Sequence, residues 1–88
     1  MDYELKLVEM KDLGECDAKE SKIFIRKSAS EQQQILTVLH ESFHAALYEL
    51  GFEDLYDNEP LINAMASSMY SLLRDNPFIV EHMEKFKK

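Results

Sequence analysis

The sequence predicts an α+β fold, with a small antiparallel or mixed sheet packed on one long helix and two further helices after it. Three observations predict it. Tyr3, Leu5 and Leu7 alternate with Glu4 and Lys6, the period-2 pattern of a half-buried strand. Residues 22–27, KIFIRK, form a β-branched and aromatic run between charges. From Ser28 onward the apolar spacing becomes helical, and Gly51 and the Asn76-Pro77 pair break it into three segments. The 88 residues make one domain, 1–88, whose core is small enough that a bound metal or a partner chain would add to its stability.

The first strand covers residues 3–7, although a helix over 3–10 stays open because Leu5, Val8 and Met10 also approach helical spacing. Residues 14–21 read as a polar turn. The 22–27 strand is expected at a sheet edge, where its flanking lysines discourage pairing with another chain. The long helix starts between Ser28 and Ser30, and Ser28 with Glu31 or Ser30 with Gln33 has capping-box spacing. It runs to Leu50 and ends at Gly51, a residue suited to the left-handed position after a helix. Ile35, Leu39, Phe43, Ala46 and Leu50 form its expected buried stripe, with Leu36, His40, His44 and Leu47 on the shoulder.

An acidic loop, residues 51–58, follows. The next helix opens at Asn58 as N-cap, with Pro60 harmless in its first turn. Its apolar face is Ile62, Met65, Ala66, Met69, Leu72 and Leu73, and it stops before Asn76-Pro77. A last helix, from Pro77 to about Phe86, carries Ile79, Val80 and Met83. The Lys85–Phe86–Lys87–Lys88 end suits a helix C-terminus.

Charge and composition exclude several classes. The formal net charge of −7 opposes direct nucleic-acid binding. The N-terminus has neither the basic nor the apolar run of a signal peptide, and no segment has the length of a membrane span. A single cysteine, Cys16, allows no internal disulfide and suits a reducing compartment. A cytoplasmic protein without membrane contact is the expectation.

The chemistry lies in residues 40–44, His-Glu-Ser-Phe-His, in the middle of the long helix. Residues four apart are stacked on a helix, so His40 and His44 can turn ring nitrogens to one ion. Glu41 follows about 100° round the axis, close to the ion but displaced from it, where a carboxylate can take a proton from a water held by the metal. Chance produces this three-residue pattern in a chain of this length with a probability of roughly a few in a thousand. The expected ion is Zn2+, with His40 and His44 as ligands.

A third ligand has to come from elsewhere. Tyr48 stands one turn beyond His44, and the only other histidine, His82, is expected to be a surface or packing residue. Glu59 is the leading carboxylate because it opens a helix whose apolar face continues on its side. Glu53, Asp54 and Asp57 compete, but a loop holds a ligand less firmly. Asn63 is open to a supporting role behind a ligand or to plain solvation, and Cys16 is expected to be a free thiol.

The stretches TVLHESFHAALYELG and NEPLINAMASSMYSLLRDNP resemble the minimal zinc metallopeptidase core of the gluzincin type, in particular the ImmA/IrrE-like proteins of phages and mobile elements. The resemblance covers roughly residues 14–77 and includes GECDAKESKIFIRKS, similar to the turn and edge strand before the active-site helix in that family. Glu59, Ile62, Asn63, Met65 and Ala66 match the family's downstream pattern, with Ile and Met at its Ala and Phe positions. Phe43 stands where the family commonly has glycine, and the loop between His44 and Glu59 is short.

The resemblance implies a zincin-like fold, zinc on His40, His44 and Glu59, Glu41 as catalytic base, and a protein or peptide substrate such as a repressor. Tyr48, Tyr56 and Tyr70 are the candidate donors to a developing oxyanion. The substrate is expected to lie extended along the 22–27 strand. Two other readings stay open: a non-enzymatic zincin-fold interaction module with structural zinc, and a metal-free helical interaction protein. The oligomeric state is not specified by the sequence.

Overall fold

The computed structural model describes residues 2–85. Its elements in chain order are β1 (Glu4–Val8), β2 (Gly14–Asp17), β3 (Lys22–Arg26), α1 (Glu31–Glu49), α2 (Glu59–Asp75) and α3 (Phe78–Lys85). The sheet is mixed, in the order β1-β3-β2, with β1 parallel and β2 antiparallel to β3. This is the α+β arrangement that the sequence predicts. No helix among the described residues is long and apolar enough to cross a membrane.

Three expectations about the sheet need correction. Residues 14–17 form a strand, and only 18–21 turn, through Ser21 at φ 54°. The 22–27 strand is central, not an edge: β1 flanks it on one side and β2 on the other. Its lysines and arginine sit at its ends, while Ile23 and Ile25 between them are 1% and 3% exposed. The buried side of β1 also differs. Leu5 and Leu7 lie beside Ile23 and Ile25 on the same face, yet are 54% and 57% exposed. The cause is reach, since α1 packs across β2 and β3 and leaves β1 overhanging.

Both ends of α1 behave as the sequence predicts. The Ser30 Oγ accepts from the Gln33 N–H at 3.2 Å, and the Gln33 side chain accepts from the Ser30 N–H, completing the capping box. At the other end the Phe52 N–H donates to the Leu47 carbonyl and the Gly51 N–H to that of Tyr48, with Gly51 at φ 81°. This is a Schellman closure, and it turns the chain back along α1. The face that α1 buries is shifted, however, to Thr37, Glu41, His44 and Ala45, while Ile35 and Leu50 of the expected stripe are exposed. Counting apolar residues misplaced the stripe because polar site residues occupy the inward face.

Asn58 caps α2 by accepting from the Leu61 N–H at 3.1 Å. Ile62 and Ala66 are buried where α2 packs on α1, with Met65, Met69 and Leu73 partly covered; Leu72 is exposed. The last helix buries no residue, and His82 is exposed on it, as expected. Its predicted end near Phe86 and the Lys87–Lys88 end lie outside the described residues.

Candidate metal centre

Two helices converge on one point. From α1, His40 and His44 stack one turn apart, their ring centroids 4.9 Å apart. From the first residue of α2, Glu59 reaches back between them. Its Oε2 lies 3.1 Å from His40 Nε2, its Oε1 2.8 Å from His44 Nε2, and the two Nε2 atoms are 3.2 Å apart. A tetrahedral zinc with bonds of ~2.0–2.1 Å separates its ligands by about 3.3 Å, so the triangle has the size such an ion needs. Among the described residues this trio is the one metal-competent group. Glu53, Asp54 and Asp57 stay outside it.

Proton bookkeeping sharpens the fit. His44 Nδ1 is paired with the Tyr56 backbone carbonyl, which can only accept, so Nδ1 carries a proton. In the neutral ring Nε2 then presents a lone pair, and that lone pair faces a carboxylate oxygen and a second imidazole nitrogen. Three such donor atoms facing one point can hold a cation between them. The Tyr56 carbonyl thus fixes both the tautomer and the tilt of His44. It is a backbone group, and no side-chain pattern in the sequence could have announced it.

Glu41 sits beside the triangle and not in it, with Oε2 3.9 Å from His40 Nε2. It is buried at 9% exposure, and it makes no hydrogen bond within the described residues. Burial pushes its carboxyl above the usual range, and the two nearby imidazoles only partly offset that.

Two cavities meet at the site and share Gly14, His40 and Glu41. The larger, about 510 Å³, is walled by Leu13, Leu36, Thr37 and Ala66. The smaller, about 360 Å³, is walled by Glu15, Cys16, Tyr56 and Asp57. Asn63 lines the larger one and makes no hydrogen bond to the ligand trio. Of the three tyrosines, Tyr56 borders the site, with its ring 6.4 Å from that of His44. Tyr48 packs behind it at 5.7 Å. Tyr70 is eleven residues along α2 from Glu59, roughly 16 Å at 1.5 Å per residue, and lies under the Arg74 guanidinium.

No family model, curated protein or solved structure matches the chain. The geometry therefore carries the functional reading.

Gly14 is the contribution that sequence reasoning missed. A Cβ there would overlap the Thr37 Cγ2 methyl and stand 3.0 Å from the Phe24 carbonyl oxygen. Its absence lets β2 lie directly on α1 beside Glu41. The available signal was a rare one, since the chain has only two glycines. Gly14→Ala is expected to lower the unfolding free energy by about 1–3 kcal/mol, the usual cost of overpacking, as read by urea denaturation.

Cys16 is a free thiol on the wall of the smaller cavity. Burial pushes its pKa from 9.0 up to about 11, and the carboxylates of Glu41 and Asp17 add to the shift. At pH 8 the folded, metal-free protein therefore holds about 100-fold less thiolate than the unfolded chain. Iodoacetamide alkylation is expected to be slower by about that factor in buffer than in urea, and equal rates would contradict the buried placement.

Proposed function

We propose that this chain is a zinc-dependent peptidase of the minimal gluzincin type, similar to the ImmA/IrrE-like proteins, acting on a protein substrate. The single observation that carries the reading is the buried Glu41 carboxylate, its Oε2 3.9 Å from His40 Nε2, beside a His40–His44–Glu59 triangle of the size that holds a metal ion. A structural zinc site needs the triangle alone. When bound there, zinc supplies Lewis-acid chemistry toward a peptide carbonyl and makes a water more acidic.

The chain's own residues do the rest. His40, His44 and Glu59 hold the ion, and the Tyr56 carbonyl orients His44. Glu41 takes a proton from the attacking water as the C–O bond forms on the carbonyl carbon. It passes that proton to the leaving nitrogen as the C–N bond breaks, which leaves a carboxyl group and an amine. Tyr56 is the tyrosine placed to border the reacting carbonyl.

Substrate binding moves from the strand first expected to β2. The Arg26 N–H donates to the Leu13 carbonyl, so Leu13 and Arg26 form a hydrogen-bonded pair of the antiparallel ladder. Pairs alternate, so the backbone groups of Gly14 and Cys16 face away from β3. No other strand among the described residues pairs with β2. These free groups border the two cavities and can add a peptide strand over the triangle.

The small core, in which Ile23 and Ile62 are the largest fully buried side chains, favours a second reading of a non-enzymatic module stabilised by zinc. The zinc-loaded protein and a Glu41→Gln variant, each incubated with a denatured protein mixture, separate the two. New peptide N-termini made by the first and not the second support the peptidase, and identical N-terminal profiles would refute it.

A further inference from the structure

The sheet has two edges, and the metal centre lies beside one of them, β2. The other edge is β1, on the far side of β3, which is the one element that β1 packs on closely. The Glu4 N–H donates to the Ser21 carbonyl and the Lys27 N–H to that of Val8. Glu4 and Val8 therefore turn their backbone groups toward β3, and Lys6 between them does the same by the strand's period of two. The N–H and C=O groups of Leu5 and Leu7 point the other way, and no strand among the described residues takes them up. The side chains of Leu5 and Leu7 overhang on the α1 face, while Glu4 and Lys6 stand on the opposite face. Free backbone groups beside exposed apolar side chains make an edge that templates another strand.

The charges of β1 suit a second copy of itself. In an antiparallel pair of identical strands about a two-fold axis, one residue faces its own equivalent and so fixes the register. Centred on Glu4 or on Lys6, like charges meet across the axis. Centred on Leu7, Leu5 faces the partner's Glu9. Centred on Leu5, Glu4 faces the partner's Lys6, Lys6 faces the partner's Glu4, and both pairs are of opposite sign. On the other face Leu5 then meets the partner's Leu5, and Leu7 meets the partner's Tyr3. Glu4 and Lys6 occupy the non-hydrogen-bonded positions of that ladder, where opposed side chains approach most closely. The contact they make within one strand, at 3.7 Å, is exposed and holds them weakly.

We propose that β1 is a self-association edge, where two copies of this chain pair antiparallel about Leu5 and join their sheets into one. Both α1 helices lie on the same face of the joined sheet, and the Leu5 and Leu7 side chains fill the space between them, out of water. The two metal centres stay open at the outer edges. One strand per copy is a small contact, so the association is weak and set by concentration.

Sedimentation equilibrium of the full chain tests this. The mass should rise with concentration from that of one chain toward that of two. Glu4→Lys alone and Lys6→Glu alone each set like charges opposite one another twice, and each should weaken the dimer about tenfold or more. Glu4→Lys also lowers the net charge, so its effect is not general repulsion. Mixed in equal amounts, the two variants should form a heterodimer of wild-type strength, because every opposed pair is again of opposite sign. That recovery also shows that both variants fold. Glu4→Lys combined with Lys6→Glu in one chain should dimerise like the wild type. Met83→Ser, on the exposed apolar side of α3, should change nothing. A chain that stays monomeric at every concentration overturns the proposal and leaves the β1 edge to a different strand. A dimer that neither single charge change weakens, that Met83→Ser abolishes, or that the mixture fails to restore overturns it as well, because the contact then lies elsewhere.

Discussion

Zinc added to the metal-free protein is expected to raise its melting temperature by about 10–20 °C, and His44→Ala is expected to abolish the response. A ligand that binds only the folded state stabilises it by about 2.7 kcal/mol at a hundred times its dissociation constant. In a domain of this length each kcal/mol is worth about 4–8 °C. The effect should exceed that of any surface substitution because three donor groups from two helices, already 2.8–3.2 Å apart, would be joined by one ion. Elemental analysis should find about one zinc per wild-type chain and none in the variant. His82→Ala, on the exposed face of α3, should leave both readings unchanged. Acidification should weaken binding, since protons compete for the same imidazole nitrogens. A wild-type protein that takes up no zinc and gains no stability from it would sink the metal centre and everything built on it.

The grouping of His40, His44 and Glu59 was more legible in the sequence than the order of the sheet. His40, His44 and Glu41 sit on one helix, so their mutual placement follows from 3.6 residues per turn and needs no tertiary information. Glu59 required one further step, the guess that the second helix packs its apolar face on the first, and Ile62 and Ala66 make that contact. The sheet order was beyond local reasoning. The flanking charges of Lys22–Arg26 mark strand ends and strand edges equally well, and only the pairing partners decide between them. Leu5 and Leu7 have the alternation of a buried strand, but whether a helix covers them depends on how far α1 extends over the sheet. The shifted face of α1 has a different cause. Hydrophobic patterning assumes that inward positions are apolar, and here Thr37, Glu41 and His44 point inward.

Replacing Glu41 by Gln is expected to lower turnover by about 10²–10⁴-fold, the usual contribution of a positioned general base, while zinc content and fold are kept. The amide has the shape of the carboxylate but cannot take a proton from water. Glu41 is not one of the three donors, so the ion should stay. Stability adds an independent check with a definite sign. Burial raises the Glu41 carboxyl above its ordinary 4.5, so the folded protein favours the protonated form. That contribution is fully present below the unfolded value and is lost as pH rises through the folded one. At neutral pH the ionised side chain in the metal-free protein therefore weighs against folding, and a neutral amide removes the penalty. Metal-free Glu41→Gln should melt no lower than the wild type, and the difference should narrow on acidification. Glu41→Ala lacks this control because it also opens a hole between α1 and Gly14. The combination of lost turnover, retained zinc and undiminished stability is what a base held at a cost to the fold should give. Equal turnover in the two proteins would instead mean that the carboxylate, for all its placement, takes no part in the chemistry.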